Sequence, residues 1–156
     1  MSLFKNASDR QVNIGLTILR VVVGIIFMAH GAQKVFVFGF EGVSGGFAQM
    51  GIPMASILGP FVGLVELLGG FALIAGFLTR LASLGLASTM VVAIFVVHLN
   101  NGFFNPGGVE FPLSLLAGSI LLMLTGAGRW SIDALINRRV ATPEPIESRD
   151  RLRRAA

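Results

Sequence analysis

Residues 16–34, LTILRVVVGIIFMAHGAQK, form an apolar run that carries Arg20 within it and His30 and Lys34 at its far end. A bilayer core takes roughly 20 apolar residues per helix. A soluble helix is not apolar all round, and a lipid-facing one does not carry an arginine in its middle. The run therefore predicts a transmembrane helix whose one polar face turns toward a protein interior.

Three more apolar stretches follow, and only 13% of the 156 residues are charged. A soluble domain carries about 25%. The expected fold is an all-α membrane protein, a four-transmembrane-helix bundle with helices near 12–32, 56–78, 81–99 and 111–127. The first run is too long for a signal-peptide core and is followed by further spans, so it reads as a helix that stays. A polar N-terminus over 1–11 precedes the membrane domain over 12–137, and a charged, Pro-containing tail over 138–156 follows it. Residues 33–55 read as a Phe/Gly-rich outer loop. There Phe36, Phe38 and Phe40 alternate, Gly42, Gly45 and Gly46 break the pattern, and 47–50 could make one short helical turn. The loop is too apolar to float free, so it should lie in the interface or fold over the bundle mouth.

Four crossings put the N-terminus, the 79–80 turn and the tail on one side. That side collects Lys5, Arg10, Arg80, Arg129, Arg138 and Arg139, against Lys34 opposite. The positive-inside rule then makes both termini cytoplasmic. The net charge of +4 gathers in the tail, which suits a membrane surface and not a nucleic acid. Cysteine is absent, so no thiolate metal site, Fe–S cluster or thiol relay can come from this chain. Any redox chemistry needs a bound molecule or a partner subunit.

On helix 1, Arg20, His30 and Lys34 fall within an arc of roughly 80°, shared or bordered by Gly24 and Gly31. On helix 2, Gly59, Gly63 and Gly70 lie within about 60° of Glu66. Small residues let membrane helices approach closely. Arg20 and Glu66 both count to near mid-depth, so they are expected to form an ion pair. That pair could serve a site or could only fix helix register. Lys34 could simply snorkel to lipid phosphate, and either His30 or His98 could be an interfacial histidine bonded to a carbonyl. Glu110 reads as a solvated loop acid. Ile26-Phe27-x-x-His30 is echoed by Ile94-Phe95-x-x-His98, by duplication or by chance.

As a set, Arg20, His30, Lys34, Glu66 and His98 are the candidate ligand-binding residues, with the catalytic residues unassigned. Two histidines raise haem ligation, which nothing else supports. A quinone or similar apolar ring fits better, because its carbonyls need donors and its reduction needs proton carriers. No close spacing of ligands suggests a metal.

The pattern LRVVVGIIFMAHGAQK, with GLVELLGGFALIAGFLTR and GAGRWSIDALI, resembles the DoxX family of small bacterial membrane proteins. The resemblance covers roughly residues 13–137. It implies a multi-pass protein of the bacterial plasma (inner) membrane. Some members are described as subunits of quinone-reducing oxidoreductases or terminal oxidases, others with complexes handling oxidative stress, and many have no defined activity. The reading it favours is a redox-associated membrane protein that binds a quinone in the outer half of the bundle and works with partner redox subunits, at most as a subunit of a quinone-linked oxidoreductase. Rival readings are a small transporter using the buried charges and a non-catalytic scaffold subunit. The glycine faces also permit a homo-oligomer.

Overall fold

The computed structural model describes residues 6–140. Most of the tail expected over 138–156 lies outside the described residues. Helix α1 (Asp9–Ala32) continues through a π-helical turn, Gln33–Phe38, into α2 (Gly39–Gln49). Helices α3 (Ala55–Ala75) and α4 (Thr79–Val92) follow, and α4 continues through a second π segment, Ala93–His98, and a 3₁₀ turn, Leu99–Asn101. Helix α5 (Glu110–Thr125) and the short α6 (Ile132–Val140) are the last elements among the described residues. No strand occurs among the described residues. Asp9–Gln49, Ala55–Ala75 and Thr79–Asn101 are long and apolar enough to cross a membrane, while α5 is a shorter apolar helix of 16 residues.

Each helix starts and stops for local reasons. Ser8 and Gln11 form a capping box at the start of α1. Helix α3 ends in a Schellman motif at Gly76, whose φ is +68°. Phe77 N–H reaches Ala72 O at 2.9 Å and Gly76 N–H reaches Leu73 O at 3.1 Å. Gly76 is needed twice over, because a Cβ there would run into the Arg20 guanidinium and Ser131.

The expected loop over 33–55 is mostly helix, and this corrects the sequence reading. Glycine costs up to about 1 kcal/mol per residue in a helix, but α2 recovers this by packing. It lies along the start of α3, where a Cβ on Gly59 would come within 3.1 Å of the Ser44 backbone, and it buries Val43. The bend comes at Gly39, with φ +67°.

Helices α1 and α3 run antiparallel along the two glycine faces. A Cβ on Gly24 would meet Gly70 O at 2.8 Å, and one on Gly31 would overlap the Leu67 backbone. One core joins α1, α3, α4 and α5 through Val23, Phe27, Leu73, Leu86, Met90, Leu115 and Leu122. Outside it, large apolar side chains such as Ile18, Leu68, Phe71, Leu84 and Leu124 stay exposed on every long helix. This inverted surface is what a lipid solvent demands.

Candidate functional site

The polar side chains of the bundle separate into two groups at different levels. At the level of the α3 C-terminus, Arg20 is 2% exposed. Its Nη1 donates to Leu73 O at 2.6 Å and Ile74 O at 2.7 Å, and its Nη2 donates to Trp130 O at 2.9 Å. The first two carbonyls end α3, where the helix dipole favours a cation. Asp133 completes this end. Its carboxylate oxygens accept from Leu78 N–H at 2.8 Å and Thr79 N–H at 2.9 Å, which caps α4. Ser8, Asn13, Arg80 and Arg129 lie at this same end, since Arg129 N–H donates to Asn13 Oδ1 and Arg80 Nη2 reaches Leu124 O.

Arg20 does not pair with Glu66, contrary to the sequence expectation. The antiparallel register sets Arg20 opposite Ile74 and Glu66 beside Gly31, about eight residues or ~12 Å apart along the helix axes. Glu66 instead forms an ion pair with Lys34. Counting depth from assumed helix ends missed this, because Lys34 sits on a helix that continues past 32 and so lies alongside α3 at Gly63.

The second group lines a cavity of about 590 Å³ between α1, α3, α4 and α5, covered by Phe47, Met50 and Ile52. His30, Lys34, Glu66 and His98 are all in its wall, among Phe27, Phe61, Val65, Met90, Phe111 and Leu115. Four of the five candidate residues therefore meet in one place, and Arg20 does not join them. Lys34 and His98 both sit in π-helical segments, which occur often at functional sites. His30 stacks obliquely on Phe111, ring centroids 5.9 Å apart. His98 Nδ1 is 2.6 Å from Gly107 O in the 102–109 loop. Size and lining suit a small apolar ligand with a few polar handles. Among the described residues, no three His, Asp or Glu side chains gather for a metal ion.

A family model described as DoxX matches residues 15–99. The chain belongs to the DoxX family. It is 34% identical over 132 residues to the "Uncharacterized membrane protein Rv3486" of Mycobacterium tuberculosis, covering 78% of this chain and 80% of the relative. It is 35% identical over 128 residues to a Bacillus subtilis protein named "Putative oxidoreductase CatD", covering 82% and 91%. It is 33% identical over 131 residues to the "Inner membrane protein YqjF" of Escherichia coli, covering 81% and 95%. No solved structure matches the chain.

All five candidate residues lie inside the DoxX match, whereas Phe111, Trp130 and Asp133 lie beyond it. Sequence reasoning missed Ser88, Thr89 and Phe111 in the cavity wall. Ser88 and Thr89 could have been suspected, being adjacent hydroxyls in an apolar span. The roles of Asp133 and the Trp130 carbonyl had no local signal, since each partner is more than fifty residues away.

Proposed function

We propose that this DoxX protein binds a quinone or similar apolar ring molecule in the cavity between α1, α3, α4 and α5, as a redox-associated protein of the bacterial inner membrane. The observation that carries the reading is the meeting of His30, Lys34, Glu66 and His98 in one largely apolar cavity. A ring of that kind needs apolar walls for its faces and a few hydrogen-bonding groups for its oxygens. The Bacillus subtilis relative is named "Putative oxidoreductase CatD", which supports the redox part of the reading. With no cysteine in the sequence, no thiolate-held redox centre can sit in this chain, so electrons pass to or from partner subunits.

The proposed topology has four crossings, with α5 as the shortest and both termini cytoplasmic. Arg80, Arg129, Arg138 and Arg139 then lie on the cytoplasmic side and the cavity in the outer half. The test is protein purified in mild detergent without added ligand, measured by oxidised-minus-reduced absorption and by mass spectrometry of its solvent extract. Stoichiometric quinone, lost in a folded Glu66→Gln variant, is the expected result. A well-folded, colourless protein with an empty extract overturns the reading.

A further inference from the structure

The hydrogen-bonding atoms of the cavity are unevenly spent. Ser88 and Thr89 donate their hydroxyl hydrogens to Leu84 O at 2.9 Å and Leu86 O at 2.8 Å. A hydroxyl has one hydrogen, so each turns only lone pairs to anything else. Gly107 O can only accept from His98 Nδ1, so the hydrogen of the neutral ring sits on Nδ1 and Nε2 is a bare acceptor. No protein group among the described residues bonds that Nε2. Glu66 gives Oε2 to Lys34, and its other oxygen has no protein hydrogen bond among the described residues. Against these acceptors stand the remaining N–H groups of Lys34 and whatever His30 offers.

We infer that the cavity selects a ring compound that brings its own hydroxyl hydrogens, a hydroquinone or a phenol, over the same ring without them. The inference rests on the cavity reading above and adds which form of the ligand is held. A carbonyl oxygen entering among Glu66, Ser88, Thr89 and His98 meets lone pairs, while a hydroxyl satisfies one of them. Of these acceptors Glu66 is buried, His98 and Thr89 are half-buried and Ser88 is exposed. A shielded acceptor left without a donor is costly, so Glu66 and His98 carry most of the preference. His98 is the positioning acceptor of the set, because Gly107 fixes its tautomer.

The experiment uses the full-length protein in nanodiscs and a redox-inert pair of probes, 4-heptylphenol and its methyl ether, with a short-chain benzoquinone as reference. The phenol is expected to bind about tenfold tighter than the ether, the worth of one hydrogen bond to a buried acceptor. The preference should shrink in His98→Phe. Independently of any variant, the ¹⁵N side-chain spectrum of the ligand-free protein should show His98 protonated at Nδ1 and bare at Nε2. Protonation at Nε2 overturns the inference, and so does equal or tighter binding of the ether. If the quinone binds and the phenol shows no preference, the inference falls while the cavity reading stands. If none of the three binds, the cavity reading falls and takes the inference with it.

Discussion

Glu66 on α3 and Lys34 on the π-helical continuation of α1 form an ion pair in the wall of the cavity. The two are unequally shielded, with the Lys34 side chain 22% exposed and that of Glu66 5% exposed. Removing one partner of a buried pair costs more than replacing both, because it strands the other charge. Lysine has a long stem on which to move its ammonium toward a polar region, and glutamate at this depth has not. Lys34→Met is therefore expected to destabilise the protein by about 3 kcal/mol, and Glu66→Gln by less. The double variant Lys34→Met/Glu66→Leu should recover most of the loss. Thermal unfolding in detergent checks the order. A Glu66→Gln variant at least as damaged as Lys34→Met would refute the argument.

Gly31 and Gly15 make a matched pair of tests on one helix. A Cβ at Gly31 would overlap the Leu67 backbone, whereas one at Gly15 meets nothing within 4 Å. Backbone cannot yield as a side-chain tip can, so Gly31→Ala should force α1 and α3 apart at the cavity. The expected cost is about 2 kcal/mol or more, within the range for overpacking. Gly15→Ala should be neutral or stabilise by up to about 1 kcal/mol, the helix-propensity gain. Unfolding midpoints of the two variants in the same detergent decide the matter.

The same glycines show what was legible in the sequence. Spacing near 3.6 residues fixes which residues share a helix face, so the sequence alone assigns Gly24, Gly31 and Gly70 to the α1–α3 contact. It assigns Gly63 to the same face of α3, where it meets Lys34 and Val35 on the π-helical continuation of α1. Angular position carries no information about axial register. Face position alone therefore points Arg20 at Glu66, whereas the α3 carbonyls hold Arg20 and Lys34 pairs with Glu66. Helix α2 was hidden for another reason. Its glycines oppose a helix locally, and only packing against Gly59 reverses the balance.

Asp133 caps a helix that begins 54 residues earlier in the chain. Leu78, just before α4, has φ +47°, a left-handed conformation that strains a branched side chain. The two bonds from Asp133 hold it there. Asp133→Ala should cost about 1–2 kcal/mol, as for loss of an N-cap. Asp133→Asn keeps one acceptor oxygen and should cost less. Amide exchange at Leu78 and Thr79 is the direct readout. It should quicken in Asp133→Ala while amides in the middle of α1 keep the wild-type rate. Unchanged exchange at both positions would mean the carboxylate is not what secures this turn.

Ala93 lines the cavity at the start of the second π-helical segment and carries the smallest side chain in that part of the wall apart from Gly85. A large ring placed there fills space without removing a polar group. Ala93→Trp should therefore leave Lys34, Glu66 and His98 in place while excluding a ring ligand by volume. Its unfolding midpoint should change little if the new side chain occupies the cavity, since added apolar contacts offset the strain of insertion. Ligand recovered from the purified variant should drop at least about tenfold, the loss expected when roughly 1.4 kcal/mol of binding energy disappears. Glu66→Gln tests the chemistry of the site, and Ala93→Trp tests only whether the ligand occupies this volume. Undiminished ligand in a well-folded Ala93→Trp protein would place the binding site elsewhere, whatever the behaviour of the charged residues.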